Sequence, residues 1–300
     1  MKSLLVIGGT GFIGYHVITE AKKRGYKIYS VSLNKPKNKR VHKGIKYIKA
    51  DITNFKMIKE RLKINFKYVI NAGGYGYHPD FGKEGNKIIK DHLLGLTNIL
   101  NVLKFKKLKK FIHLGSSAEY GDIKSPLKEN AKCIPNTPYS IAKTSCTQLL
   151  LKLFKINNFP VTVLRLFQVY GPKQDVNRII PFVINNCLKD KKFFTTRGDQ
   201  LCDFCYIDDV IKAIFKSLES KKTNGEIINI GSGKPTKIKS VILLIKKLIK
   251  KGSPVIGALN YKKNTNMKNY PSISKAKQKL KWKPLVELNK GIKKTIKSYT

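Results

Sequence analysis

Acidic residues are scarce in this 300-residue chain, 18 against 61 Lys and Arg, which leaves a formal net charge of +43. An excess of that size ordinarily points to nucleic acid or another anionic surface. Arginine, the side chain best shaped to fork onto phosphate, supplies only six of those cations. The lysines run along the whole sequence rather than gathering in one arm. The charge therefore reads as a compositional bias that helps attract anionic small molecules, and no nucleic-acid partner is expected. Cysteine is also sparse. The five, at 133, 146, 187, 202 and 205, are odd in number and scattered, which excludes a disulfide scaffold and fits a reducing compartment. Cys202 and Cys205 form a lone CxxC with no second pair and no histidines nearby, so no metal is expected. Long apolar runs are missing. Nothing approaches the roughly 18 to 20 residues of a spanning helix, and the start MKSLLVIGGTGFIG has neither a long apolar segment nor a cleavage site. The expectation is a cytoplasmic chain with no membrane partner.

What is present is alternation. Short apolar runs, SLLVIG (3–8), KIYSVSL (27–33), IKYI (45–48), KYVINA (67–72), KFIHLG (110–115) and VTVLRLF (161–167), alternate with helical patterns, clearest at 12–24, 87–104 and 139–157. Strands alternating with helices imply right-handed crossovers and a parallel sheet covered on both faces. The fold class expected is α/β, a Rossmann-type doubly wound parallel sheet. After about residue 168 Pro and Gly punctuation increases. Residues 1–167 are read as an NAD(P)-binding unit and 168–300 as mainly a smaller substrate-binding lobe, with about 203–230 returning to the sheet.

The first strand runs straight into Gly8-Gly9-Thr10-Gly11-Phe12-Ile13-Gly14, which opens a helix. Glycines at 8, 11 and 14 provide a tight turn, a close backbone approach to a pyrophosphate and close helix packing. Gly8, Thr10, Gly11, Phe12, Ile13 and Gly14 are thus expected to hold a dinucleotide. After the second strand, where an acid would grip the ribose of NAD, the chain reads Ser32-Leu33-Asn34-Lys35, with Lys37, Lys39 and Arg40 beyond. Missing acid and abundant cations favour NADP, with NAD as the alternative, and Asn34 and Lys35 as contacts. Asp51 and Ile52 follow the third strand. The Asp51 carboxylate can accept from an adenine amino group or cap a helix before Phe55.

Two further stretches carry candidate chemistry. LGSSAEYG (114–121) places two hydroxyls, a carboxylate and a phenol after the fifth strand. Tyr139-Ser140-Ile141-Ala142-Lys143 sets a phenol and an ammonium on one helix face, four residues apart. A phenol with a reference pKa of about 10 transfers protons poorly at neutral pH, and a neighbouring cation stabilises its phenolate.

The order of these motifs, with NAGG (71–74), RLFQVYGP (165–172), RIIP (178–181), GDQLCDFCYIDDV (198–210), NIGSGKP (229–235) and SKAKQKLKWKP (274–284), resembles the extended short-chain dehydrogenase/reductase superfamily of nucleotide-sugar epimerases, dehydratases and reductases. The resemblance implies three catalytic residues. Ser116 clamps the reacting sugar oxygen, with its neighbour Ser117, a substrate contact, as the alternative; Tyr139 donates or accepts the proton; Lys143 activates the tyrosine and contacts the cofactor. It also implies cofactor contacts at Ala72 and Gly73, a nucleotide-diphosphate sugar as substrate, and a homodimer.

Several positions depart from the family pattern. Dehydratases carry an acid two residues before the tyrosine of the YG pair; here that position is Ala118, which argues against a 4,6-dehydratase and makes Glu119 a bystander. His92 stands where Asn is usual, as a proton relay or a packed helix residue. Gln168 replaces an Asn before VYGP, and Cys202 replaces the Arg of the RDF motif, leaving Arg178 and Arg197 for the diphosphate. The tail around 256–266, with TTRGDQ before it, looks like the subgroup that reduces nucleotide-linked 4-keto-6-deoxy sugars, such as the CDP-abequose synthases. The activity expected is therefore reduction of a C4 ketone for surface polysaccharide synthesis. The alternative is a 4-epimerase or C4 dehydrogenase holding NAD tightly.

Overall fold

The computed structural model describes residues 2–37, 40–74, 79–262 and 265–300. The first half runs β1 (Ser3–Ile7), α1 (Phe12–Lys23), β2 (Lys27–Ser32), β3 (Lys46–Lys49), α2 (Phe55–Arg61), β4 (Tyr68–Asn71), α3 (Lys83–Val102), β5 (Lys110–Ser116), α4 (Pro138–Asn157) and β6 (Val161–Leu166). The second half adds β7 (Gln168–Tyr170), α5 (Ile179–Leu188), β8 (Lys192–Thr195), β9 (Leu201–Tyr206), α6 (Ile207–Glu219), β10 (Glu226–Ile230), β11 (Pro235–Lys237), α7 (Ile238–Ile249), β12 (Ser253–Ile256), β13 (Lys268–Asn269), α8 (Ser274–Leu280) and α9 (Leu288–Lys297).

Seven strands form one parallel sheet in the order β10-β6-β5-β4-β1-β2-β3. β5 and β6 are buried along nearly their whole length, as strands covered on both faces must be. Two apolar clusters form the two covers. Val6, Ile70, Ile112 and Leu164 face α1 and α6, whereas Leu5, Val69, Phe111 and Val163 face α3 and α4. The order reverses between β1 and β4, and ligands of such sheets settle at the carboxyl ends of the strands beside that switch.

β9 pairs with β7, β11 and β13 in a second sheet, and after α6 the chain returns to the main sheet as β10, beside β6. Two fully buried carboxylates fasten this second half. Asp203 accepts from Ser232 N (2.6 Å) and Gly233 N (2.6 Å), tying β9 to the turn after β10. Asp209 accepts from Leu285 N and Val286 N, anchoring the tail before α9. Cys202 and Cys205 are both buried on β9. Residues three apart on a strand face opposite ways, so the pair forms no pincer, and burial pushes both thiols up.

α3 begins at Lys83, a turn earlier than the pattern at 87–104 predicts, because its first turn, KEGN, shows no apolar spacing. No helix among the described residues is long and apolar enough to cross a membrane.

Candidate active site

The glycine-rich turn is built as its sequence requires. Gly8 has φ +76°, and a Cβ there would lie 2.7 Å from Ala72 O; one on Gly14 would lie 2.2 Å from Gly8 O. Gly11 caps α1 with no side-chain bond, so the first N–H groups of that helix point at the cleft, as an anion site needs. Phe12 and Ile13 pack their side chains on the core. What they offer a cofactor is main-chain N–H, not side-chain contact.

A cleft of about 280 Å³ opens above this turn. Of the residues expected to hold a cofactor, Gly8, Thr10, Gly11, Asn34, Asp51, Ile52, Ala72 and Gly73 line it, and Lys35 lines an adjoining depression with Asn34 and Thr10. The backbone cradle, the helix terminus and the cleft fit a dinucleotide. Asp51 is not the helix cap: its Oδ1 accepts from Thr53 N (2.8 Å) and Thr53 Oγ1 (2.7 Å), while Asn54 caps α2 by accepting from Met57 N.

Arg40, expected among the cations for a 2'-phosphate, is already engaged. It is buried, pairs with Asp175 at 2.8 Å, and donates to Lys173 O (2.5 Å) and Thr10 O (3.4 Å). Lys39 lies outside the described residues, as do residues 263 and 264 of the tail 256–266.

Of the predicted catalytic residues, Tyr139 packs against His92 of the cleft wall and Lys143 lies one turn further along α4, but Ser116, Tyr139 and Lys143 do not themselves line the cleft. The α4 start is fixed by Thr137, which accepts from Ser140 N and is capped in return, with Pro138 in the first turn. Tyr139 and Lys143 are both buried. Lys143 Nζ sits 6.0 Å from the Tyr139 ring centroid and donates to Leu114 O at 3.0 Å, which fastens α4 to the end of β5. His92 packs edge-on to Tyr139, ring centroids 5.8 Å apart, and lines the cleft. A Cβ on Gly74 would strike its ring, so His92 is a packed residue that also touches the site.

Ser116 ends β5 and caps a short 3-10 turn that begins at Ser117. Ser116 Oγ accepts from Ala118 N (3.1 Å), and Ser117 Oγ accepts from Asn269 Nδ2 (3.2 Å). Ala118 packs against the Tyr139 cluster, bringing this turn beside the phenol. Gln168 and Arg178 line a separate cavity at the start of α5 with Asn177. Arg197 is not drawn in: its side chain is 73% exposed, it pairs with Asp199, and it lines none of these cavities.

Sequence reasoning missed His113 and misjudged Glu119. His113 lines the floor of the cleft, where Asn71 Nδ2 donates to its Nδ1 at 3.2 Å; burial, then Lys143 and His92, hold its imidazole well below its ordinary value. Glu119 is fully buried and paired with Arg165. The available signal was Arg165 itself, a charge inside the apolar run VTVLRLF, which demands a buried partner.

Comparison with known proteins agrees with this geometry. A profile of the NAD dependent epimerase/dehydratase family matches residues 4–231. A UDP-glucuronate 4-epimerase of Thermodesulfobacterium geofontis is 29% identical over 99% of this chain and 95% of its own. The UDP-glucose 4-epimerase of Thermotoga maritima, solved with UDP-glucose, superposes with TM-score 0.92 at 27% identity, covering 99% of this chain and 98% of that one. The UDP-glucuronic acid 4-epimerase of Bacillus cereus, solved with UDP-glucuronic acid and NAD, gives 0.88 at 27% identity over the same shares. None of these carries the expected likeness to CDP-abequose synthases. With its glycine-rich turn, its Tyr139–Lys143 helix and this family match, the chain belongs to the NAD dependent epimerase/dehydratase family of extended short-chain dehydrogenases/reductases.

Proposed function

We propose that this protein is a nucleotide-sugar 4-epimerase working with tightly held NAD, the alternative to the C4 reductase that the sequence put first. The observation that carries the reading is the seating of Tyr139: its ring packs on His92 of the cleft wall, and its partner Lys143 is bonded to Leu114 O, two residues before Ser116. The names of the similar proteins, UDP-sugar 4-epimerases, support an epimerase over a reductase. Engagement of Arg40 by Asp175 supports NAD over NADP, because a 2'-phosphate would compete with a carboxylate already in place.

The backbone of 8–14, with Asp51, Ala72 and Gly73, would hold the cofactor. Bound there, NAD supplies a reversible hydride acceptor for sugar carbon 4. Tyr139 takes the proton of the 4-hydroxyl and returns it to the 4-oxygen after the keto sugar has presented its other face. Ser116 donates to that oxygen. Its Oγ lone pair is occupied by Ala118 N–H, which leaves the hydroxyl hydrogen for an acceptor in the cleft. Lys143 stabilises the phenolate, and Arg178 and Gln168 receive the nucleotide diphosphate in the cavity at α5. Ala118 offers no acid for eliminating water, which sets the reading apart from a dehydratase.

The test is turnover of UDP-glucose and UDP-glucuronate by the parent, Tyr139→Phe and Ser116→Ala. The reading expects the phenol deletion to cost at least a hundredfold in kcat and the hydroxyl deletion at least tenfold, in line with the usual worth of such groups. Variants as active as the parent would sink it.

A further inference from the structure

We infer that the buried Glu119–Arg165 pair is the positioning device for the Ser116 hydroxyl, an inference that rests on the reading of Ser116 as the clamp on the sugar oxygen. Glu119 has two carboxylate oxygens and uses each on a different donor. Oε1 accepts from Ser116 N at 2.9 Å; Oε2 accepts from Arg165 Nε at 2.9 Å. Both side chains are at most 1% exposed. The β5–β6 register places Gly115 beside Arg165, and a Cβ on Gly115 would lie 2.4 Å from Glu119 Oε1, so glycine there lets the carboxylate reach across.

Arg165 is itself immobilised. Its guanidinium carbon lies 4.4 Å from the centroid of the Tyr120 ring, whose hydroxyl donates to Asn229 Oδ1 on β10 at 2.8 Å. Burial works against the charge of Arg165, but Glu119 and then Tyr120 outweigh it and hold the guanidinium above its ordinary value. The consequence for the site is direct. Ser116 is the last residue of β5 and the cap of the turn 117–120, with its hydroxyl oriented by Ala118 N–H and its own main-chain N–H held from below by Glu119. A hydroxyl that must meet one sugar oxygen in the transition state depends on that main-chain placement, and small displacements of such groups cost rate rather than binding.

Glu119→Gln is the discriminating variant. A carboxamide has one acceptor oxygen for two donors, so either Ser116 N–H or Arg165 loses its partner. Adding Arg165→Met removes the competing donor and frees that oxygen for Ser116. Two readouts are taken on the full chain: kcat and sugar KM with UDP-glucose and UDP-glucuronate, and amide exchange of the segment 114–121. The inference expects Glu119→Gln to lower kcat at least tenfold with KM within about threefold, to speed exchange of the segment, and to be rescued on both counts in Glu119→Gln/Arg165→Met. In a Ser116→Ala background, Glu119→Gln should cost nothing further in kcat. Unchanged exchange in a folded Glu119→Gln overturns the inference, as does altered exchange with unchanged kcat or a loss that persists in Ser116→Ala. If Ser116→Ala turns over like the parent, or the parent turns over neither sugar, the functional reading fails, and the exchange result alone decides whether Glu119 holds the turn. A Glu119→Gln chain that does not fold is decided by the double variant, whose exchange and kcat must match the parent.

Discussion

Arg40 and Asp175 form a 2.8 Å ion pair that joins the loop after β2 to the segment after β7. The same guanidinium reaches Thr10 O in the glycine-rich turn and Lys173 O. Lys173 in turn lies over the Tyr15 ring at 4.6 Å, and His16 Nε2 meets Pro172 O at 2.9 Å. The glycine-rich turn and α1 are thus stitched to the segment that follows β7.

On the proposed reading this pair favours NAD, since Arg40 is not left free for a 2'-phosphate. The parent is expected to bind NAD more tightly than NADP, and Asp175→Asn, which releases the guanidinium, to strengthen NADP binding. Asp175 is half exposed, so a pair worth about 0.2–1 kcal/mol translates to a gain of roughly 1.4- to fivefold. Calorimetric titration of both nucleotides checks it; a parent that prefers NADP would contradict the assignment.

Within the glycine-rich turn, Gly14 has the least room for a side chain. Its missing Cβ would meet Gly8 O at 2.2 Å and Gly9 Cα at 2.6 Å, both backbone, whereas a Cβ on Gly11 would find Gly8 O at 3.3 Å. Gly14→Ala should destabilise the fold by about 1–3 kcal/mol through overpacking and remove most of the rise in Tm that NAD gives the parent. Gly11→Ala should do less on both counts. Equal behaviour of the two variants in thermal melts would show that the turn is not the cofactor cradle.

Lys110 gives a pH signature far from the site. It is buried at the start of β5, with Nζ donating to Ser220 O (2.8 Å), Thr223 Oγ1 (3.0 Å) and Asn224 Oδ1 (2.5 Å), and burial pushes it down to about 7. The unfolded chain keeps a lysine near 10.4, so between about pH 7 and 10 unfolding takes up a proton, and stability rises with pH across that window. Below about pH 7 the lysine is protonated in both states and the dependence vanishes. Urea midpoints of the parent, measured against Lys110→Met, should therefore climb from pH 7 to pH 9.5. A flat difference would mean that the three oxygens keep the ammonium charged.

Some of the site was legible because its signals are local. A glycine-rich turn and a Tyr–Lys pair at helical spacing state their geometry within a few residues: Gly8, Thr10 and Gly11 line the cleft, and Lys143 sits over the Tyr139 ring one turn along the same helix. The strands of the main sheet were legible for the same reason, since unbroken apolar runs such as FIHL fit only a sheet covered on both faces. Partners distant in sequence were not. Glu119 lies 46 residues from Arg165, and only the β5–β6 register brings them together, so a carboxylate aimed away from the sugar looked idle. Arg40 read as an available cation because Asp175 lies on the other lobe. Asp51 and Asn54 both suit a helix start, and the choice fell to whichever side chain could reach the N–H of Met57. Arg197 followed from family spacing alone, where this chain departs from the pattern on either side of it.

The central claim is that the cleft epimerises a nucleotide sugar at carbon 4 without consuming reductant. The protein is incubated with UDP-glucose, and separately with UDP-glucuronate, in the absence of added reduced nicotinamide, and the configuration at carbon 4 is followed by proton NMR. Appearance of the C4 epimer from at least one of them, with no net oxidation or reduction of nicotinamide, is the predicted result. Both sugars unchanged, together with steady oxidation of NADPH when a nucleotide-linked 4-keto-6-deoxy sugar is supplied, would contradict it and return the enzyme to the reductases.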